Sequence, residues 1–292
     1  MTPQERLQKI QRFITRMPSL STTVAKVLEI CNDPQSSPND LNKVISLDPV
    51  LTGQVLKLIN SAYYGLPDRI TSLTRAIIML GLNTVKNLVL ATSILSNFKG
   101  NRAIRGTLTD TFWEHSLGVG ATARVLAKFF KVPALEQEEF FVTGLLHDLG
   151  KLPIMASFPP LYQLIIKLHE EQDLQLFEIE KKLLGFDHCQ VNRLIFAKWK
   201  LSEDMLNAAV FHHRPFDPEA DQNKLLMSIS LANETVHRFQ QQPPEMQQEK
   251  DILLTSLTQA CNIEYDQVMA LKDDIEEQIE KARVFLNVAG KG

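Results

Sequence analysis

Cysteine is scarce: Cys31, Cys189 and Cys261 are the only three in 292 residues, far apart and with no CxxC pair. Isolated thiols in odd number argue against a disulfide framework and read as reduced groups of a cytosolic protein. Each reads as a small core residue, although Cys189, beside His188, could also lie near a site. A basic excess is missing too. The formal net charge is −3, so no electropositive field points to nucleic acid or anionic lipid, and neither is expected as a partner. No apolar run approaches membrane-spanning length, and the opening segment "MTPQERLQKIQRF" is amphipathic and charged rather than a leader-type apolar stretch. Period-two alternation and internal repeats are also absent. Apolar residues make up 44% of the chain, enough for one large core or two modest ones.

Helical periodicity runs through the sequence. Leu20, Val24, Val27, Leu28 and Cys31 form the stripe of a helix ending near "NDP". Ser37, Pro38 and Asp40 supply an N-cap, an N1 proline and a first-turn acid for the next. "VLTGQVLKLINSAYYG" is apolar enough to be buried on more than one face, and Gly81 and Gly100 close the two helices that follow. Tyr63 and Tyr64 read as a packing anchor, and Trp113 and Trp199 as core. Two last helices finish the chain, the final one striped by Val268, Leu271, Ile275 and Ile279, with "DDIEEQIEK" as its solvated face. The fold class is all-α. The polar stretch 100–110 is the best boundary, giving an N-terminal helical lobe (1–102) packed against a second helical unit (103–292).

Histidines set the functional question. Five of seven (His115, His147, His188, His212, His213) fall between residues 115 and 213, at helix ends or on apolar faces, and His147 is followed by Asp148 in "GLLHDLGK". Neighbours on a helix diverge by about 100°, but at a helix end the backbone relaxes and both members of a His-Asp or His-His pair can converge. Singly, each histidine reads as a hydrogen-bonded core residue. Five of them plus an aspartate, each needing a buried partner, read as a clustered site. Imidazole and carboxylate donors suit zinc, iron, manganese or nickel. His169 and His237 lack this setting and are expected to face solvent.

The order His115, His147-Asp148, His188, His212-His213 resembles the ligand pattern of the HD superfamily of metal-dependent phosphohydrolases. The leading segment, with "DPVLTGQVLKLINSAYYG" and "SLTRAIIMLGLNTVKNLVLA", is similar to HDOD domains, the HD-related output domains of bacterial signalling proteins. The likeness covers about residues 17 to 235. It implies an HD-like helical bundle with an N-terminal lobe, a regulatory role in a bacterium, and a family in which many members have lost catalytic ligands. It also implies the ligand set His115, His147, Asp148, His188, His212 and His213, with Lys151 at the position of a functional lysine. The last carboxylate of the HD-GYP pattern falls on Asn233, the Gly-Tyr-Pro signature is absent, and Thr111 stands where some relatives carry a glutamate.

The resemblance thus implies one or two divalent transition-metal ions, with partial occupancy, because only Asp148 supplies anionic charge. Asn233 offers a neutral oxygen. Lys151 reads either as an electrostatic clamp on phosphate, catalytic together with Asp148, or as a helix-terminal cation favourable to the dipole. Three function classes follow: a signalling output module with a weak or inactive site, an active phosphohydrolase on a nucleotide or cyclic dinucleotide, and a scaffold with a vestigial cluster. The signal would come from a partner protein or a nucleotide-like small molecule. Metal content separates the third class from the others, and turnover separates the second from the first.

Overall fold

Short polar side chains set where the helices begin. Thr2 and Glu5 form a capping box at the start of α1 (Pro3–Arg16), and Ser21 caps α2 (Thr22–Asn32). Ser37 and Asp40 form a second box around Pro38 at α3 (Pro38–Ile45), and Asp48 caps α4 (Pro49–Ile59). Then comes α5 (Leu73–Lys99), broken at Gly81, where φ is 82° and only glycine is unstrained. The structure is a computed structural model describing residues 1–33, 35–99, 107–172, 174–240 and 252–289. Gly100 and the glutamine- and proline-rich loop segment "QQPPEMQQ" (241–248) lie outside them.

The second half continues with α6 (Thr107–Phe129), α7 (Gln137–Leu146), α8 (Lys151–Ser157), α9 (Pro159–Gln172) and α10 (Leu176–Leu184). After these come α11 (His188–Trp199), α12 (Glu203–Phe211), α13 (Lys224–Gln240), α14 (Ile252–Ala260), α15 (Tyr265–Ala270) and α16 (Lys272–Ala289). All regular structure among the described residues is helical, as the sequence reading expects. The terminal stripe is divided differently from that reading: Val268 belongs to α15, Ile275 and Ile279 to α16, with Leu271 capping between them.

The reading that no apolar run reaches membrane length also needs correction. Leu73–Phe98 is long and apolar enough by composition, with a mean hydropathy of 1.5. Here it packs against α2, α3, α4, α7 and α16, burying Val85, Leu88, Val89, Ile94 and Leu95.

The two halves are joined by more than the backbone. α1 lies on α8 and α11, where Arg6 donates to the Leu183 carbonyl (2.8 Å) and Lys9 to that of Ser157 (2.7 Å). Lys198 returns the contact by donating to the carbonyls of Ile14 (2.6 Å) and Met17 (2.7 Å). Tyr63 is wedged between Phe141 of α7 and Phe285 of α16, with ring centroids 5.1 and 5.0 Å away, and the Arg124 guanidinium lies 4.1 Å from its ring. Burying such a ring contributes on the order of 2–3 kcal/mol. The proposed division at residue 102 falls outside the described residues. Limited proteolysis within 100–110 should therefore give two fragments that co-elute, and fragments that separate as independently folded pieces would refute the packed-lobe arrangement.

Candidate metal centre

Four helix ends meet around one carboxylate. His147 caps the C-terminus of α7, Asp148 lies in the turn that follows, and Lys151 opens α8. His188 opens α11, where Asp187 and Gln190 form a capping box. His212 caps α12 with His213 next in sequence, and His115 faces in from the body of α6. The Nε2 atoms of His147 and His115 are 3.3 and 3.7 Å from Asp148 Oδ2. Those of His188 and His212 are 3.1 and 3.6 Å from Oδ1. Lys151 Nζ lies 2.5 Å from Oδ2, and His213 Nε2 is 3.2 Å from His188 Nε2.

Lone pairs decide what this geometry is suited to hold. His147 donates Nδ1–H to the Gly144 carbonyl (2.7 Å) and His212 to that of Ala209 (3.2 Å). A carbonyl only accepts, so each ring keeps its lone pair on Nε2, the atom aimed at Asp148. Those Nε2 atoms, that of His115 and Asp148 Oδ1 are all buried without a hydrogen-bond partner in the protein. Protonation is a poor remedy, because burial drives the pKa of His212 down to about 3 and those of His115 and His213 well below the usual range. A divalent cation resolves the conflict. Two donors about 2.1 Å from one ion, at tetrahedral or octahedral angles, are about 3.0–3.4 Å apart, and the observed separations of 3.1–3.7 Å fall at or slightly above that range. Donor atoms of His115, His147 and Asp148 lie within 4.8 Å of one another, as do donor atoms of His188, Cys189, His212 and His213. The residues fit a metal.

Close approach and one buried amide hold the helix ends in place. Asn192 Nδ2 donates to the carbonyls of His147 (2.5 Å) and Ala209 (2.9 Å), and its Oδ1 accepts from the Gly150 N–H (2.6 Å). A Cβ on Gly150 would stand 2.1 Å from the His188 carbonyl, so only glycine lets α11 come so near. Gly144 and Gly120 bring α7 onto α6 in the same way, since a Cβ on Gly144 would be 2.7 Å from Gly120 Cα.

Glu180 went unrecognised in the sequence. Fully buried on α10, it accepts from the His188 backbone N–H (2.8 Å) and from His188 Nδ1–H (2.6 Å). Burial alone would depress the His188 pKa, but Glu180, with Cys189 and Asp148, raises it well above the usual value. For Asp148 burial favours the neutral form, and His147, Lys151 and His188 outweigh it, holding the carboxyl far below its usual range. The site therefore holds a second carboxylate, that of Glu180, behind the His188 ring.

Other expectations need correction. His237 is half-buried and not simply solvent-facing: its ring is 4.7 Å from that of His115, and burial takes its pKa down to about 4. His169 is partly exposed and donates to the Leu174 carbonyl (2.6 Å). Lys151 begins a helix, where the dipole disfavours a cation, so its partner is Asp148 and not a helix C-terminus. Asn233 is fully buried. Its Nδ2 donates to Glu234 Oε1 (3.1 Å), and its Oδ1 is without a hydrogen-bond partner. It lies one turn before His237, on the same face of α13, which packs on α6, α7 and α12. Thr111 is exposed on α6, and Cys189 is buried.

The described residues thus form an all-helical fold that gathers a buried His/Asp cluster at converging helix ends. The HDOD domain family matches residues 17–215, and the chain belongs to that family. In fold it is similar to a protein of Shewanella amazonensis SB2B provisionally called a phosphohydrolase (22% identity, 96% of this chain and 98% of that one, TM-score 0.73). It is also similar to a protein of Marinobacter aquaeolei VT8 provisionally called a signal transduction protein (18% identity, 99% of this chain and 66% of that one, TM-score 0.71). An uncharacterized protein of Treponema pallidum (strain Nichols) is 24% identical over 243 residues, 82% of this chain and 46% of the relative. The chain thus spans about half the length of that relative.

Proposed function

We propose that this protein is a bacterial, cytoplasmic signalling output module whose cluster binds one or two divalent transition-metal ions and turns over phosphoesters weakly or not at all. His115, His147, Asp148, His188, His212 and His213 would hold the metal, with Asn233 as a neutral oxygen beside them. Iron, manganese, nickel and zinc all suit these donors. The observation that carries the reading is the set of buried, unpartnered imidazole nitrogens around Asp148. The reason for weak turnover is charge: Asp148 is the carboxylate these nitrogens face, while Asn233 holds a neutral amide. A partner protein or a nucleotide-like ligand would read the metal state through the packed lobes.

The second reading is an active phosphohydrolase, favoured by Lys151, whose ammonium beside Asp148 is placed to clamp a phosphoryl oxygen. A bound divalent ion supplies acidified water and a Lewis acid for such chemistry. Elemental analysis of protein purified without added metal, followed by assay on a panel of phosphoesters, tests both. We expect partial metal occupancy and little turnover in the wild type, with higher occupancy and weak hydrolysis on Asn233→Asp. Robust wild-type turnover lost on His147→Ala would establish the phosphohydrolase instead.

A further inference from the structure

We propose that Cys189 is a metal ligand, so that His188, Cys189, His212 and His213 form a nitrogen-sulfur half-site for a thiophilic divalent ion of the zinc class. The inference rests on the metal-centre reading and adds to it a donor outside the HD pattern. The carboxylate of Asp148 divides the cluster: Oδ2 faces His115, His147 and Lys151, whereas Oδ1 faces His188 and His212. On the Oδ1 side, donor atoms of His188, Cys189, His212 and His213 all lie within 4.8 Å of one another, and all four residues are buried.

Two further observations point to a ligand there. His212 Nε2 is fully buried and has no hydrogen-bond partner. His188 and His213 bring their Nε2 atoms to 3.2 Å, a hydrogen bond in the metal-free protein and a spacing that one ion also spans once the proton is displaced. A thiol serving only to fill core volume would not need three imidazoles this near its sulfur.

The chemistry closes the charge deficit that Asn233 leaves. When the sulfur-metal bond forms, the S–H bond breaks and the proton passes to solvent, leaving a thiolate that carries one negative charge. Three imidazoles with a thiolate make a four-donor set of the type that selects zinc over manganese or magnesium.

Titration of the metal-free full-length protein with Co²⁺ tests this, read by absorption spectroscopy and elemental analysis. The wild type should bind Co²⁺ with a sulfur-to-cobalt charge-transfer band in the near ultraviolet. Cys189→Ser should still bind cobalt but lose the band, and should lose ten- to a hundredfold more affinity for Zn²⁺ than for Mn²⁺. Should Cys189→Ser fail to fold, a Cys31→Ser/Cys261→Ser double variant decides, because its band must survive if Cys189 is the source. Cobalt bound by the wild type with no sulfur band would overturn the Cys189 inference and leave the metal centre standing. No cobalt bound at all would overturn both.

Discussion

Asp148→Asn protein should purify nearly free of metal while the wild type retains it. The carboxylate stands within 3.1–3.7 Å of four imidazole nitrogens and 2.5 Å from Lys151, and it is 1% exposed. An amide keeps the shape but removes the charge, so two oxygens that reach both halves of the cluster become one neutral oxygen and a donor. Metal affinity should fall by more than a hundredfold, and added metal should no longer raise the melting temperature as it does in the wild type. Without metal the variant should also be less stable, because Lys151 and the charged His188 lose their counter-ion in a buried setting. The cost is about 3 kcal/mol, or roughly 6–12 °C in Tm. A carboxyl held below its unfolded pKa gives stability that is present above that value and disappears as pH falls through the folded one. The gap between variant and wild type should therefore narrow only in acid, below the unfolded value near 4. Wild-type metal content in well-folded Asp148→Asn protein would remove Asp148 from the centre.

Much of this site could be read from the sequence because its donors sit where local rules operate. His147, His188 and His212 occupy helix caps or first turns, and caps are marked by residues close in sequence: Asp187 and Gln190 around His188, and the Gly150 break after His147. Ser37, Pro38 and Asp40 start α3 as expected for the same reason. Aromatic anchors were also legible, since Tyr63, Trp113 and Trp199 are large apolar side chains in apolar settings and all three are buried.

The supporting residues were not legible, for a physical reason. Asn192 sits inside an ordinary amphipathic helix, and its three hydrogen bonds go to helix ends 17 to 45 residues away. Glu180 belongs to "EIEKK", a pattern that reads as a solvated face, yet it points inward at His188 eight residues on. His237 looked isolated because its partner, His115, lies on a helix far away in sequence. Periodicity reports which face of one helix is apolar. It does not report which distant polar group that face will meet, and the partners of a buried carboxylate or amide are set only when helices cross. Close crossings such as Gly120 on Gly144 have the same property: a glycine in a helix is a weak mark until its neighbour is known.

Glu180→Gln should change how metal binding depends on pH, and this separates a working second carboxylate from a mere packing residue. In the wild type His188 gives Nδ1–H to Glu180, and its pKa is raised well above the usual value. Near neutrality the ring is therefore doubly protonated, and a metal taking Nε2 must displace a proton. Affinity should rise about tenfold per pH unit from this ring alone, up to its raised pKa. The sign for stability is opposite. A group whose folded pKa exceeds its unfolded value stabilises the metal-free fold fully below the unfolded pKa and loses that contribution as pH climbs through the folded one. Glutamine keeps an oxygen for the Nδ1–H but not the charge, so the His188 pKa falls and the ring is neutral before metal arrives. Calorimetry in buffers of different ionisation enthalpy should then count one proton fewer released per metal than in the wild type, whatever Cys189 contributes, since that term is common to both. At alkaline pH the variant should bind metal about ten- to a hundredfold more weakly, because the ligand is less basic and the site holds one less negative charge. The two affinity curves should converge as pH falls, where proton competition penalises the wild type alone. Equal proton release in both proteins would mean that Glu180 only positions the ring.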